Sequence, residues 1–294
     1  MKLGLQIPNF TFQGGPATLG KDLAQVVRWA DGAGFDSLWV MDHFFQIEYV
    51  GPPEMDMLEG YTTLGYFAAL TEKVKLGTMV TGVTYRHPGV LAKIVTTLDV
   101  LSGGRAYLGI GAAWFEREHA AMGVPYPPLA ERFERLEEAL QICGQMWSEN
   151  NGPFEGKHYH LAETLCVPQP VSRPHPRILI GGMGEKKTLR MVAQYGQACN
   201  LFQFAGAPTI QEKLDALAEH CQALGRDYAE IEKTTLGTFD PAKLEEYLDQ
   251  LQELASIGID TALFNVADPT DRATQELIAS ELIPRASRFA VKGR

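Results

Sequence analysis

Short apolar or β-branched runs recur along the chain, and each is followed by a helix-length amphipathic segment. Residues 3–8 read as a strand and 19–31 as a helix, with Gly32 and Gly34 as stop signals. The alternation continues with strand 37–41 and helix 61–71, then strand 74–80 and helix 88–101, where Pro88 suits a first helical turn. Strand 105–111 leads to helix 129–147, strand 178–180 to helix 186–195, and strand 198–204 to helix 210–224. Strand 231–239 with helix 242–257, and strand 261–266 with helix 271–283, complete eight strand–helix units.

Eight units in one unbroken series predict an α/β fold, a (β/α)₈ TIM barrel, over an open doubly wound sheet. No internal repeat or linker divides the chain, so residues 1–294 read as one domain. One region is irregular. Residues 149–176, after the fourth helix, carry Pro153, Pro168, Pro170, Pro174 and Pro176 and exceed an ordinary connection. We expect an insertion over the C-terminal mouth of the barrel.

In such a barrel the C-terminal strand ends face the active site. The second strand, within FDSLWVMDHFF, ends in Asp42 and His43, which topology therefore places at the mouth. The third end offers Thr78, Met79, Val80 and Thr81, the fourth GIGAAWFERE from Gly109, and the fifth GGMGEKKT from Gly181. Glycines at 181, 182 and 184 let backbone N–H groups approach an anion, and Lys186 and Lys187 follow at a helix start. That is a phosphate cradle by mechanism, or else a glycine-rich turn with two solvated lysines. The fourth end lacks the third glycine of a dinucleotide fingerprint. Trp114 and Phe115 either line a flat cleft or cap the barrel. A lone histidine after an apolar strand is more often a hydrogen-bonded structural residue than a catalyst, and from the residues alone His43 is left between a structural and a proton-transfer role.

Composition narrows the field. The formal net charge of −10 argues against a nucleic-acid partner, which would require a basic face. No 18-residue apolar run is present, so no membrane span is expected, and the N-terminus enters a strand pattern without a signal-peptide core. Cys143, Cys166, Cys199 and Cys221 are scattered and read as reduced thiols of a cytoplasmic protein. The His158/His160 pair lies in the irregular region with nothing to complete a ligand set, and there is no GxSxG. Metal and nucleophilic catalysis are both disfavoured.

Taken together, LGLQIPNF, SLWVMDHFF, VKLGTMVTGVTYRHP, LSGGRAYLGIGAAWFEREH and ILIGGMGEKKTLR resemble the luciferase-like monooxygenase superfamily. They are more narrowly similar to its branch of oxidoreductases using the deazaflavin coenzyme F420. The resemblance implies a (β/α)₈ barrel with the cofactor in its C-terminal mouth and a non-proline cis peptide at Met79–Val80 against the ring. It implies Asp42 and His43 at the ring edge, with Gly111, Ala112, Ala113, Trp114 and Arg117 around the ring and ribityl chain. Gly181, Gly182, Met183 and Lys186, beside Gly184, become the phosphate site. In the sugar-phosphate dehydrogenases of that branch a glutamate acts as an acid near the ring, and Trp114 stands at that position here. Glu116 and Glu118 lie nearby without an assigned role, and the substrate is left open.

The expected function is hydride transfer between coenzyme F420 and a small organic molecule, with His43 as the general acid or base, since an imidazole titrates nearest neutral pH. FMN with oxygen-dependent monooxygenation is the alternative cofactor chemistry. A flavin- or deazaflavin-binding protein without turnover is the alternative class. A homodimer is expected by analogy with the family.

Overall fold

In the computed structural model, which describes residues 1–293, the apolar runs lie side by side as eight parallel strands. These are β1 (Lys2–Ile7), β2 (Ser37–Val40), β3 (Lys75–Thr78), β4 (Ala106–Gly111), β5 (Arg177–Gly181), β6 (Ala198–Phe202), β7 (Glu232–Thr238) and β8 (Thr261–Asn265). Neighbours pair in chain order, β8 pairs with β1, and β3 pairs with β4, so the ring closes as a (β/α)₈ barrel. Past β3 the chain interrupts its pairing at Met79 and Val80 and resumes at Thr81–Gly82 against the end of β4.

Strands buried on both faces favour apolar residues, which is why most of the runs are continuous. β7 departs from this with paired charges: buried Glu232 accepts from the Tyr107 hydroxyl (2.9 Å) and Thr261 Oγ1 (2.7 Å), and Lys233 Nζ lies 3.3 Å from Asp260. The inward side chains Trp39, Met79, Tyr107, Leu179, Ala198 and Leu263 fill the barrel. A Cβ on Gly77 would lie 2.6 Å from the Trp39 ring, so glycine at that position makes room for the indole. The outward side chains pack under helices α1 (Pro16–Ala33), α2 (Gly60–Leu70), α3 (Pro88–Ser102), α4 (Glu116–Met122), α5 (Leu129–Met146), α6 (Arg190–Tyr195), α7 (Gly206–Leu224), α8 (Leu244–Ser256), α9 (Arg272–Leu277) and α10 (Ile283–Ala286). On α1, Leu19, Leu23, Val26, Val27 and Ala30 share the buried face, and Gly34 in the left-handed region ends the helix. Helix α4 was not expected from the sequence. It is seven residues long with no apolar periodicity to announce it.

The region 149–176 corrects an expectation. It lines none of the cavity at the mouth and instead packs on the outside, against α3 and α5. The α3 carboxylate of Asp99, fully buried, accepts from Val171 N (2.7 Å), Ser172 N (2.8 Å) and Ser172 Oγ (2.6 Å). Higher up, Glu138 of α5 accepts from the backbone N–H groups of residues 157–159. Two buried or half-buried carboxylates therefore fasten the segment to helices. Trp147 Nε1 adds a bond to Thr96 Oγ1 (2.8 Å).

The described cysteines are all buried and unpaired, and burial pushes the Cys143 and Cys199 thiols up to about 12. Among the described residues no helix is long and apolar enough to cross a membrane.

Candidate active site

At the C-terminal ends of the strands the barrel opens into a cavity of about 1950 Å³. His43 lines it, three residues past the end of β2, and is 8% exposed. Its Nδ1 lies 3.0 Å from Oε2 of Glu118, which is fully buried on α4. The same carboxylate accepts from Phe45 N (2.9 Å), Phe44 N and the Tyr85 hydroxyl. Burial works to raise the Glu118 carboxyl, yet the bonds from His43 and Tyr85 outweigh it and hold the group below its ordinary value. An ionised carboxylate only accepts, so Nδ1 carries the proton of the shared bond. Nε2 is then the nitrogen left to take or give a proton. The imidazole stands edge-on to Trp114 (5.6 Å between centroids) and Phe115 (5.7 Å).

Asp42 points elsewhere. It is buried behind the cavity wall, gripped by Arg86 through Nη1–Oδ2 (2.6 Å) and Nη2–Oδ1 (2.9 Å), and Arg86 also reaches Glu59. Burial pushes the Asp42 carboxyl up and the Arg86 charge opposes it, while the two carboxylates hold the guanidinium more firmly protonated than usual. Thr78 belongs to the same buried layer, bonded to Thr81 Oγ1 (2.9 Å) and Gly109 O (3.1 Å). Neither Asp42 nor Thr78 lines the cavity, so both support the wall where the sequence suggested direct contact.

The peptide between Met79 and Val80 is cis, as the family resemblance implies. Val80 then projects toward β4 and β5. A Cβ on Gly181 would stand 3.1 Å from both Val80 methyls, and one on Gly111 3.1 Å from Cγ2. Gly181, read as an anion-binding glycine, and Gly111, read as a position beside the ring, thus make room for a valine. Met79, Val80, Thr81, Gly111, Ala112, Ala113 and Gly181 all line the cavity. Ala113 has a positive φ of 61°, and buried Arg132 donates to the carbonyls of Ala112 (3.2 Å) and Ala113, pinning that turn from α5.

Beyond Gly181 the loop carries Gly182 (φ 119°), Met183 and Gly184, of which Gly182 and Gly184 line the cavity along with Thr188. Lys186 is exposed and outside the lining, and Met183 is half-buried and also outside it. Lys187 comes nearer, its ammonium 5.2 Å from the ring of Phe133, a lining residue. Arg117 lies exposed on α4 and does not line the cavity, against expectation. Sequence reasoning missed Glu118, Tyr85 and Arg132 as organisers of the site. It also missed the far wall, which includes Phe202, Leu236, Phe239 and Val266.

A family model described as luciferase-like monooxygenase matches residues 1–277. An F420-dependent glucose-6-phosphate dehydrogenase of Kineococcus radiotolerans is 35% identical over 214 residues, 72% of this chain and 61% of that protein. This chain therefore spans less than two thirds of that relative. Among solved structures, an F420-dependent secondary alcohol dehydrogenase with an F420–acetone adduct superposes with a TM-score of 0.81 at 18% identity, covering 97% of this chain and 98% of the other. The monooxygenase RslO1 from Streptomyces bottropensis gives 0.77 at 21% identity, covering 97% and 99%. At those identities the two structures speak for the fold alone.

Proposed function

The chain belongs to the luciferase-like monooxygenase family, and from that premise we propose that it is an F420-dependent oxidoreductase moving a hydride between the deazaflavin and a small organic substrate. The observation that carries the proposal is the buried Glu118–His43 pair at the cavity wall, which presents one ring nitrogen for proton exchange. The F420-dependent relatives support the choice of cofactor.

The cavity fits such a group. Its 1950 Å³ exceeds the roughly 300–1,000 Å³ of a single-ligand pocket, leaving room for cofactor and substrate together. Met79, Val80, Thr81, Gly111, Ala112 and Ala113 would hold the ring and its chain, and Gly182, Gly184 and Thr188 the phosphate end, with Lys186 and Lys187 outside. When bound, the deazaflavin supplies the hydride chemistry. The chain's own part is to orient the substrate, exclude water behind Trp114 and Phe115, and hold or release a proton at Nε2 of His43.

The test is His43→Ala. General acid–base help is typically worth about 10²–10⁴ in rate, so turnover should fall by that factor while the F420 dissociation constant stays within a few-fold. Unchanged turnover would remove His43 from the chemistry.

A further inference from the structure

Resting on the F420-dependent reading above, we infer that the substrate is a neutral, largely apolar molecule and that phosphate esters are excluded. Among the described residues no lysine or arginine side chain lines the cavity, and its charged lining residues are the carboxylates Asp240 and Glu253. Nearby cations are engaged elsewhere. Arg86 is bound to Asp42 and Glu59, and Arg132 is bound to backbone carbonyls and lies over Tyr126 at 4.2 Å. Lys186 and Lys187 flank the glycine loop, at the end given to the cofactor phosphate.

A phosphate dianion is recognised by guanidinium or ammonium donors, and without them its desolvation goes uncompensated. Carboxylates facing the same space add repulsion, as does the overall charge of −10. In place of cations the cavity offers mainly apolar surface, with neutral amides such as Gln6, Asn200 and Asn265 among it. Leu236, Phe239 and Val266 form the far wall. At the rim stand two aromatic pairs, each with one ring half-covered and the other open to solvent: Trp114 with Tyr49, 6.0 Å apart, and Phe202 stacked on Phe204, 5.2 Å apart. Tyr49 is 89% and Phe204 86% exposed, an arrangement costly to leave wet and suited to covering an apolar body. Trp114 stands beside His43, so apolar surface extends to the place where the proton is handled. The phosphate of glucose 6-phosphate, named for the Kineococcus enzyme, finds no lysine or arginine among the described lining residues.

The experiment is calorimetric titration of the F420-loaded protein with 4-phenyl-2-butanone and with glucose 6-phosphate, after F420 binding itself has been measured. The ketone should bind at least about tenfold more tightly than the sugar phosphate, a difference of about 1.4 kcal/mol. Trp114→Ala, which removes a half-exposed ring from the rim, should weaken ketone binding at least about fivefold. Leu236→Lys should weaken the ketone and admit the sugar phosphate. Wild-type protein that prefers glucose 6-phosphate, or shows no preference for the ketone, overturns the inference. Should F420 fail to bind, the cofactor reading falls by itself, and the same two titrations on the protein without cofactor still decide between apolar and anionic selection.

Discussion

Glu118 determines what His43 can do. A carboxylate receiving two backbone N–H groups, a phenol and an imidazole has no capacity to spare, and removing it orphans several donors at once. Glu118→Ala should cost at least about 1–3 kcal/mol for each buried donor left unpaired. Glu118→Gln keeps the shape and loses the charge that fixes the Nδ1–H tautomer. We expect turnover at least about tenfold lower with an altered pH–rate profile and F420 affinity nearly unchanged; a profile identical to wild type would leave Glu118 a structural role only. Because the native carboxyl sits below its unfolded value near 4.3, its contribution to stability is complete above that value and is lost as pH falls through the native one. Urea unfolding followed from pH 7 to 3 should show this loss in wild type and a flatter dependence in Glu118→Gln. The position of His43 was legible because a strand end in a barrel is a mouth position. Its partner was not. Glu118 lies 75 residues away on a helix too short and too polar to show periodicity, and only the closed barrel brings the two together.

At the level of elements, the turn after β3 is shaped by its neighbours. Gly181 reads in sequence as an anion-binding glycine and Gly111 as a position beside the ring, yet the Cβ each lacks would press on Val80 at 3.1 Å. Gly181→Ala should therefore destabilise the protein by about 1–3 kcal/mol through overpacking, and Val80→Ala should relieve most of that in the double variant. Additive losses in thermal or urea unfolding would show that the two positions do not meet. The glycine motif signalled tight backbone approach correctly, but what approaches it is a side chain from another strand, which no local pattern encodes. The irregular 149–176 segment carries a similar lesson. Its prolines announced a departure from the barrel repeat, whereas its route depends on Asp99, which sequence offers as one more helix residue. Asp99→Ala leaves Val171 N and Ser172 N without their acceptor, so we expect faster proteolysis within 160–176 while the barrel stays folded. Unaltered cleavage kinetics would mean that the segment is held by other contacts.

For the whole molecule, the eightfold alternation was sufficient to define the barrel, because burial on both faces makes most strands visible as apolar runs, and β7, which carries buried Glu232 and Lys233, is marked by its β-branched threonines. Which strand-end residues line the cavity was readable only in part: His43 and Met79–Thr81 do, while Asp42 and Thr78 lie behind its wall and Arg117 is outside the lining. We also propose a homodimer, the assembly expected by family analogy, for which light scattering should return twice the chain mass. The roles proposed for the cavity residues all depend on a bound deazaflavin. Equilibrium titration of the purified protein with F420, FMN and FAD side by side tests it most directly. F420 should bind at least about tenfold more tightly than either flavin, and FMN or FAD binding as tightly as F420 would contradict the account.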